Sequence, residues 1–245
     1  MITPWPYPRW VAHRGAGKLA PENTLAAFRR GAGHGYRMFE CDVKLSQDGV
    51  AFLMHDATLN RTTSGSGVAG AKSWHDLSQL DAGSWHSRQH AGEPLPTLDN
   101  IARFCLANGH HLNIEIKPTP GTEAQTGSEV ARQAARLWTG TAVPPLLTSF
   151  AIDALQAAQA SAPDLPRGLL LHAARPDWLD IARQLQCVAV VCHYGLWDTA
   201  AVAAAHDAGL RCLSYTVNDE WVAQRLLELG TDGIITDRLD QFPPE

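Results

Sequence analysis

The sequence predicts an α/β fold and, within that class, a closed (β/α)8 barrel. Three observations lead there. Eight short β-rich runs alternate with Ala- and Leu-rich segments of helical periodicity along the whole chain, as a parallel sheet with crossover helices requires. Leu146-Leu147 and residues 188–191 are apolar on both faces, as strands buried between a core and a helical layer should be. A length of 245 residues suits one such barrel, and neither an internal repeat nor a linker divides it. Residues 1–245 are therefore expected to form a single catalytic domain.

The elements follow in order. A strand at 10–13 ends in His13-Arg14-Gly15, and a helix is expected at 24–33. The strand at 38–44 alternates, so Glu40 and Asp42 share one face while Phe39 and Cys41 take the other. A run Phe52-Leu53-Met54-His55 comes next, ending at His55, and there the rhythm breaks. From Asp56 to about Pro96 the sequence is largely polar, rich in Gly, Ser and Thr over 62–70, without a helix of barrel length. A loop this long inside a compact domain is usually functional or separately folded. Residues 56–96 are therefore read as an insertion with its own apolar cluster, over one mouth of the barrel. The alternation then resumes. A helix at 98–108 stops at Gly109, and the strand at 111–117 places Glu115 and Lys117 on one face with Ile114 and Ile116 outward. Helices at 128–137, 152–160, 178–185, 199–208 and 220–229 separate strands at 146–150, 168–172, 188–193, 212–217 and 233–236. Gly209 and Gly230 stop the last two helices.

Composition excludes several classes. A net charge of −5 with no block of Lys or Arg argues against nucleic-acid binding, which asks for a basic face. No window reaches the roughly 18 apolar residues of a membrane span. Residues 1–10 lack the charged start and apolar core of a secretory signal. The five cysteines are scattered and odd in number, which reads as reduced thiols in a cytoplasmic protein. Trp5, Tyr7 and Trp10 are apolar for a terminus, and are expected to cover the barrel's bottom or to meet another subunit in a homodimer.

The costly polar residues stand at strand ends, where a parallel barrel gathers them at its carboxyl mouth. Singly, each has a plainer explanation. Glu40-x-Asp42 fits a surface or an ion pair, a lone histidine fits a structural hydrogen bond, and Glu115 with Lys117 fits an intrastrand salt bridge. Together they do not, because three carboxylates and a lysine turned inward need a partner or a metal. All-oxygen ligands imply a hard divalent ion such as Mg²⁺ or Ca²⁺. The unperturbed pKa of histidine, near ~6.5, suits His13 and His55 to proton transfer beside such an ion. Arg14 and Lys117 supply fixed positive charge for an anion. Metal, two bases and two cations describe a site for a phosphate ester.

These residues resemble the glycerophosphodiester phosphodiesterase family. The likeness runs through His13-Arg14-Gly15, Pro21-Glu22-Asn23-Thr24, Glu40-x-Asp42, His55-Asp56, Leu59-x-Arg61-Thr62-Thr63, Glu115-Ile116-Lys117, Ser149-Phe150, Thr216-Val217-Asn218 and Gly233-Ile234-Ile235-Thr236-Asp237. It covers nearly the whole chain in order, and most resembles the short cytoplasmic bacterial members associated with glycerol-3-phosphate uptake. The resemblance implies a TIM barrel binding one divalent cation, Mg²⁺ or Ca²⁺ with Mn²⁺ as a further candidate, through Glu40, Asp42 and Glu115. It implies His13 and His55 as the acid–base pair, with Arg14 and Lys117 on the phosphate. Tyr215 stands where many relatives carry Trp, and would close over glycerol. Asn23, a helix cap by position, would be an orienting residue. The implied reaction is metal-assisted hydrolysis of small glycerophosphodiesters to sn-glycerol 3-phosphate and an alcohol. Two alternatives stay open. A lysophospholipase D-type activity would use the same site with Trp74 and Trp85 as an apolar landing surface, and a non-catalytic barrel would only bind phosphodiesters.

Overall fold

The computed structural model describes residues 5–244. Its strands and helices run in the order β1 (Trp10–Ala12), α1 (Leu25–Gly33), β2 (Met38–Leu45), β3 (Ala51–Leu53), α2 (Trp74–Leu77), α3 (Leu98–Ala107), β4 (His111–Ile116), α4 (Glu123–Leu137), β5 (Leu146–Ser149), α5 (Ile152–Ser161), β6 (Arg167–Leu171), α6 (Trp178–Gln184), β7 (Ala189–His193), α7 (Thr199–Asp207), β8 (Arg211–Tyr215), α8 (Glu220–Glu228) and β9 (Gly233–Thr236). Eight of the strands are parallel, and the sheet closes because β1 pairs with β9 on one side and, at Ala12↔Phe39, with β2 on the other. This is the (β/α)8 TIM barrel that the alternation predicts.

The ninth strand is a local addition. β3 runs antiparallel to the carboxyl half of β2, from Leu45↔Ala51 to Val43↔Leu53. The ladder ends there, two residues before the expected strand end at His55. One further bond, from Met54 N–H to the Asp42 carbonyl at 3.0 Å, lets the chain leave the sheet and carries His55 over the mouth.

Polar caps start the helices where burial cannot. Thr24 accepts from Ala27 N–H at the start of α1, Thr97 and Asn100 form a reciprocal capping box on α3, and Asp198 and Asp219 cap α7 and α8. α4 begins five residues ahead of the expected 128, because its first turn is polar and Gly127 interrupts the periodicity. That glycine is required by packing. A Cβ there would lie 2.1 Å from the Ala154 carbonyl oxygen, so α4 and α5 approach each other at a bare backbone.

Two apolar cores support the strands. Between sheet and helices lie residues such as Phe28, Phe39, Ile114, Leu147 and Leu226. Inside the barrel, Val11, Met38, Leu146, Val191 and Leu213 fill the lower half. Tyr7 joins this inner core and its hydroxyl donates to the Pro144 carbonyl at 2.9 Å, while Trp10 stacks on Phe242 with ring centroids 4.9 Å apart. These terminal aromatics thus pack against their own chain, and Tyr7 covers the bottom of the barrel. Over 56–96 the longest helix is the single turn of α2, and Phe52, Met54, Leu59, Ala69, Leu77, Ala82 and Leu95 form a separate buried cluster beneath the segment. All five cysteines are buried and unpaired, and no helix among the described residues is long and apolar enough to cross a membrane.

Candidate active site

Parallel register brings the acidic residues together. β2 pairs with β4 so that Asp42 stands opposite Glu115, with Glu40 one inward position below Asp42 on the same strand. Ligand oxygens of Glu40, Asp42 and Glu115 lie within 4.8 Å of one another, and all three residues are buried. Cationic and amide groups brace the cluster. The Arg14 backbone N–H donates to Glu40 Oε2 at 3.0 Å. Asn23 grips Asp42 from both sides, its Nδ2 donating to Asp42 Oδ2 and its Oδ1 accepting from the Asp42 N–H. Lys117 Nζ bridges Asp42 Oδ1 at 3.2 Å and Glu115 Oε1 at 2.7 Å, and lies 5.7 Å from the centre of the Phe150 ring.

The cluster is short of positive charge. Burial, with Asp42 and Glu115 nearby, pushes the Glu40 carboxyl well above its ordinary range. Burial and the Asp42 charge raise Glu115 to about 7. Burial would raise Asp42 as well, but Lys117 and Arg14 outweigh it and hold that group far below the carboxylate range. Glu40 Oε1 is buried and has no hydrogen-bond partner among the described residues. Three converging carboxylates, two of them resisting ionisation and one with an orphaned oxygen, fit a hard divalent cation.

The histidines come from the loops above. His13 Nδ1 is 2.6 Å from Asp237 Oδ1, and Asn218 secures the other Asp237 oxygen at 2.9 Å. His55 Nδ1 is 2.8 Å from Asp56 Oδ1. Each carboxylate can only accept, so Nδ1 donates in both rings and Nε2 is left free to accept a proton or to carry one. His13 Nε2 lies 3.8 Å from Glu40 Oε2. The turn holding His13 and Arg14 is strained, with Arg14 at φ +51° and Asn23 beyond it at +58°. Gly17 lets this turn come down on Asp237: its φ is +55°, and a Cβ there would sit 2.3 Å from the Asp237 backbone.

A cavity of about 390 Å³ opens at this mouth. His13, Arg14, Glu40, His55, Glu115, Lys117 and Tyr215, all singled out from sequence, line it together with Phe150 and His172, while Asp42 stands just behind the wall. Among the described residues none of 56–96 lines the cavity, so the insertion does not form its wall. Trp74 packs on the insertion's own cluster and Trp85 is 40% exposed, away from the cavity lining.

Sequence reasoning gave no role to several supporting residues. Asp237, Asp56, Glu22 and Arg61 were visible only as letters of the motif. Lys44 was signalled by the period-2 alternation that marks Glu40 and Asp42. It is buried on the same strand face, donates to the Lys117 carbonyl at 3.2 Å, and burial lowers its pKa to about 8.

Comparison with known proteins agrees with this fold. Residues 13–241 match the Glycerophosphoryl diester phosphodiesterase family. A glycerophosphodiester phosphodiesterase of Caldanaerobacter subterraneus subsp. tengcongensis is 31% identical over 231 residues, covering 93% of both chains. The structure of an Oleispira antarctica phosphodiesterase in complex with the product sn-glycerol-3-phosphate superposes with a TM-score of 0.89 at 33% identity, covering 96% of this chain and 95% of that one. The glycerophosphodiester phosphodiesterase of Agrobacterium tumefaciens gives 0.81 at 28% identity, covering 96% and 99%. Fold and site thus define a TIM-barrel enzyme of the phosphodiester-hydrolysing class. Within that class, the chain belongs to the glycerophosphodiester phosphodiesterase family.

Proposed function

We propose that the protein hydrolyses small glycerophosphodiesters, such as glycerophosphocholine or glycerophosphoethanolamine, to sn-glycerol 3-phosphate and an alcohol. In this reading one divalent cation is held by Glu40, Asp42 and Glu115, and His13 and His55 move the protons. The observation that carries it is a single cavity where two histidines, each with Nδ1 on a carboxylate, face a carboxylate cluster with an unpartnered oxygen. The sn-glycerol-3-phosphate bound in the Oleispira antarctica structure supports the product. Five buried, unpaired thiols support a cytoplasmic setting.

The cation, Mg²⁺, Ca²⁺ or Mn²⁺, would neutralise phosphate charge and orient the substrate. The chain's own groups do the rest. Arg14 and Lys117 bind phosphate oxygens from the two sides of the cluster, and their positive charge is fixed because Asp42 and its acidic neighbours raise both pKa values against the opposing effect of burial. Tyr215 is anchored by its hydroxyl to the Leu171 carbonyl at 3.0 Å and meets Phe150 edge-on, giving glycerol an aromatic wall. One Nε2 accepts a proton from the attacking hydroxyl, and the other histidine, protonated on Nε2 before the step, gives that proton to the departing alkoxide.

The test is release of glycerol 3-phosphate from glycerophosphocholine with and without chelator, then with each cation restored. Turnover that vanishes with chelator and returns with a cation is expected. Chelator-resistant turnover would remove the cation from the reaction, and no turnover under any cation would leave a binding barrel.

Stability should report the same site. Glu115 is raised from 4.5 to about 7 in the fold, so the folded state holds its proton more tightly than the unfolded chain. Its stabilising contribution is complete below pH ~4.5 and is lost as pH rises through about 7. Thermal melts in chelator should therefore fall in Tm across that window. Saturating divalent cation should flatten or reverse the slope, because the cation binds the deprotonated carboxylates. Parallel curves with and without cation would exclude Glu115 as a ligand.

A further inference from the structure

Arg61 lies in the insertion, off the cavity wall, yet it grips two carboxylates that each hold a residue of the site. Its Nε and one Nη donate to Asp56 at 2.7 and 2.9 Å, and its two Nη atoms donate to Glu22 at 2.6 and 2.8 Å. Asp56 Oδ1 also accepts from His55 Nδ1, and Glu22 Oε1 also accepts from Arg14 Nη1 at 2.8 Å. One planar guanidinium thus fixes the orientation of both acceptors, which a flexible point charge would not do.

Fastening the insertion does not explain this arrangement. One carboxylate would suffice for that, and the segment is already secured by its buried cluster, by Glu93 accepting from the Ala26 N–H at 2.9 Å, and by Asp48 accepting from the Trp74 N–H at 2.8 Å. An isolated surface ion pair contributes little to stability, and the Arg61 side chain is 44% exposed.

We propose that Arg61 is a positioning residue that sets the ring and tautomer of His55 through Asp56 and the aim of Arg14 through Glu22. The inference rests on the hydrolytic reading above, and gives the insertion a part in both proton transfer and phosphate binding. Without Arg61, Asp56 can turn from His55, and among the described residues Glu22 keeps only Arg14 as an ionic partner. Either change loosens a group that must meet the substrate in one geometry.

The test compares Arg61→Ala and Arg61→Lys with the wild type. Arg61→Ala should lose about 10–100-fold in kcat/KM, the usual effect of removing a group that orients a site residue, with Tm nearly unchanged. Guanidinium ion at sub-denaturing concentration should restore part of the activity through the solvent-open gap. Arg61→Lys should stay impaired, since an ammonium cannot chelate both carboxylates. Imidazole ¹⁵N spectra add a readout independent of turnover: His55 should be protonated on Nδ1 in the wild type, and the two nitrogens should approach averaged shifts in Arg61→Ala. Wild-type kinetics in Arg61→Ala, a loss that guanidinium leaves untouched, or an unchanged His55 spectrum would overturn the proposal. Failure of the wild type to turn over any glycerophosphodiester would count against the hydrolytic reading alone, and the spectrum would still decide the role of Arg61.

Discussion

Alanine at His13 or at His55 is expected to lower kcat by about 10²–10⁴-fold, the usual range for loss of a general acid or base. The proposed reaction uses both rings for proton transfer, and their surroundings suit that role. Each donates Nδ1 to a carboxylate, Asp237 for His13 and Asp56 for His55, and each lines the cavity. Burial also lowers the His55 pKa, which favours the neutral ring needed in a base. The two carboxylates differ in support. Asp237 is clasped by Asn218 and kept ionised near pKa 2, chiefly because the His13 hydrogen bond and charge outweigh the opposing effect of burial. Asp56 instead depends on Arg61. If both histidines serve the proposed reaction, the double variant should be less damaged than the product of the single losses. Steady-state kinetics on glycerophosphocholine would check both statements, with melts to show that the variants fold. Near-normal turnover in either single variant would make that histidine structural.

Barrel architecture was legible because it is written in periodicity. Strands such as β5 and β7 are short apolar runs between helices with clear stops, and those stops at Gly109, Gly209 and Gly230 all adopt positive φ. The structure departs from that periodicity where a tertiary contact overrides a local signal. Gly127 broke the pattern of α4 because its contact with α5 demands the absence of a side chain, and sequence spacing carries no trace of that neighbour. The strand before the insertion stops at Leu53, since His55 must leave the sheet to face the mouth.

Candidate site residues were legible for a different reason. Charges alternating with Phe39, Cys41, Ile114 and Ile116 on strands must turn inward, and an inward charge is costly enough to be conspicuous. Supporting residues were harder to read. Glu22, Arg61 and Asp237 sit in loops, where charge is ordinary, and their partners lie 8, 39 and 224 residues away in sequence. Only three-dimensional contact distinguishes them from solvated surface groups.

A substrate analogue lacking only the glycerol 2-hydroxyl is expected to bind and to resist cleavage. That hydroxyl stands on the carbon beside the phosphate-bearing one, so its attack on phosphorus closes a ring and displaces the head-group alcohol. Holding nucleophile and electrophile in one molecule can lower a barrier by roughly 7–11 kcal/mol at best, and water entering the same cavity has no such advantage. The residues suit the two-stage path. On that path one histidine would take the hydroxyl proton through Nε2 as the oxygen–phosphorus bond forms, and the other, protonated on Nε2 at the start, would give its proton to the departing alkoxide. The histidines would then hold the proton inventory reversed, ready to activate a water and protonate the 2-oxygen as the cyclic phosphate opens. Arg14 and Lys117, flanking Asp42 at 3.4 and 3.2 Å, can remain on the non-bridging oxygens through both stages. Removal of the 2-hydroxyl should therefore lower kcat by several orders of magnitude, and the inhibition constant of the analogue should show whether binding survives. ³¹P spectra of the parent reaction should show a transient cyclic glycerol phosphate. Cleavage of the analogue near the parent rate would make water the nucleophile, with one histidine activating it directly and the other still protonating the alcohol.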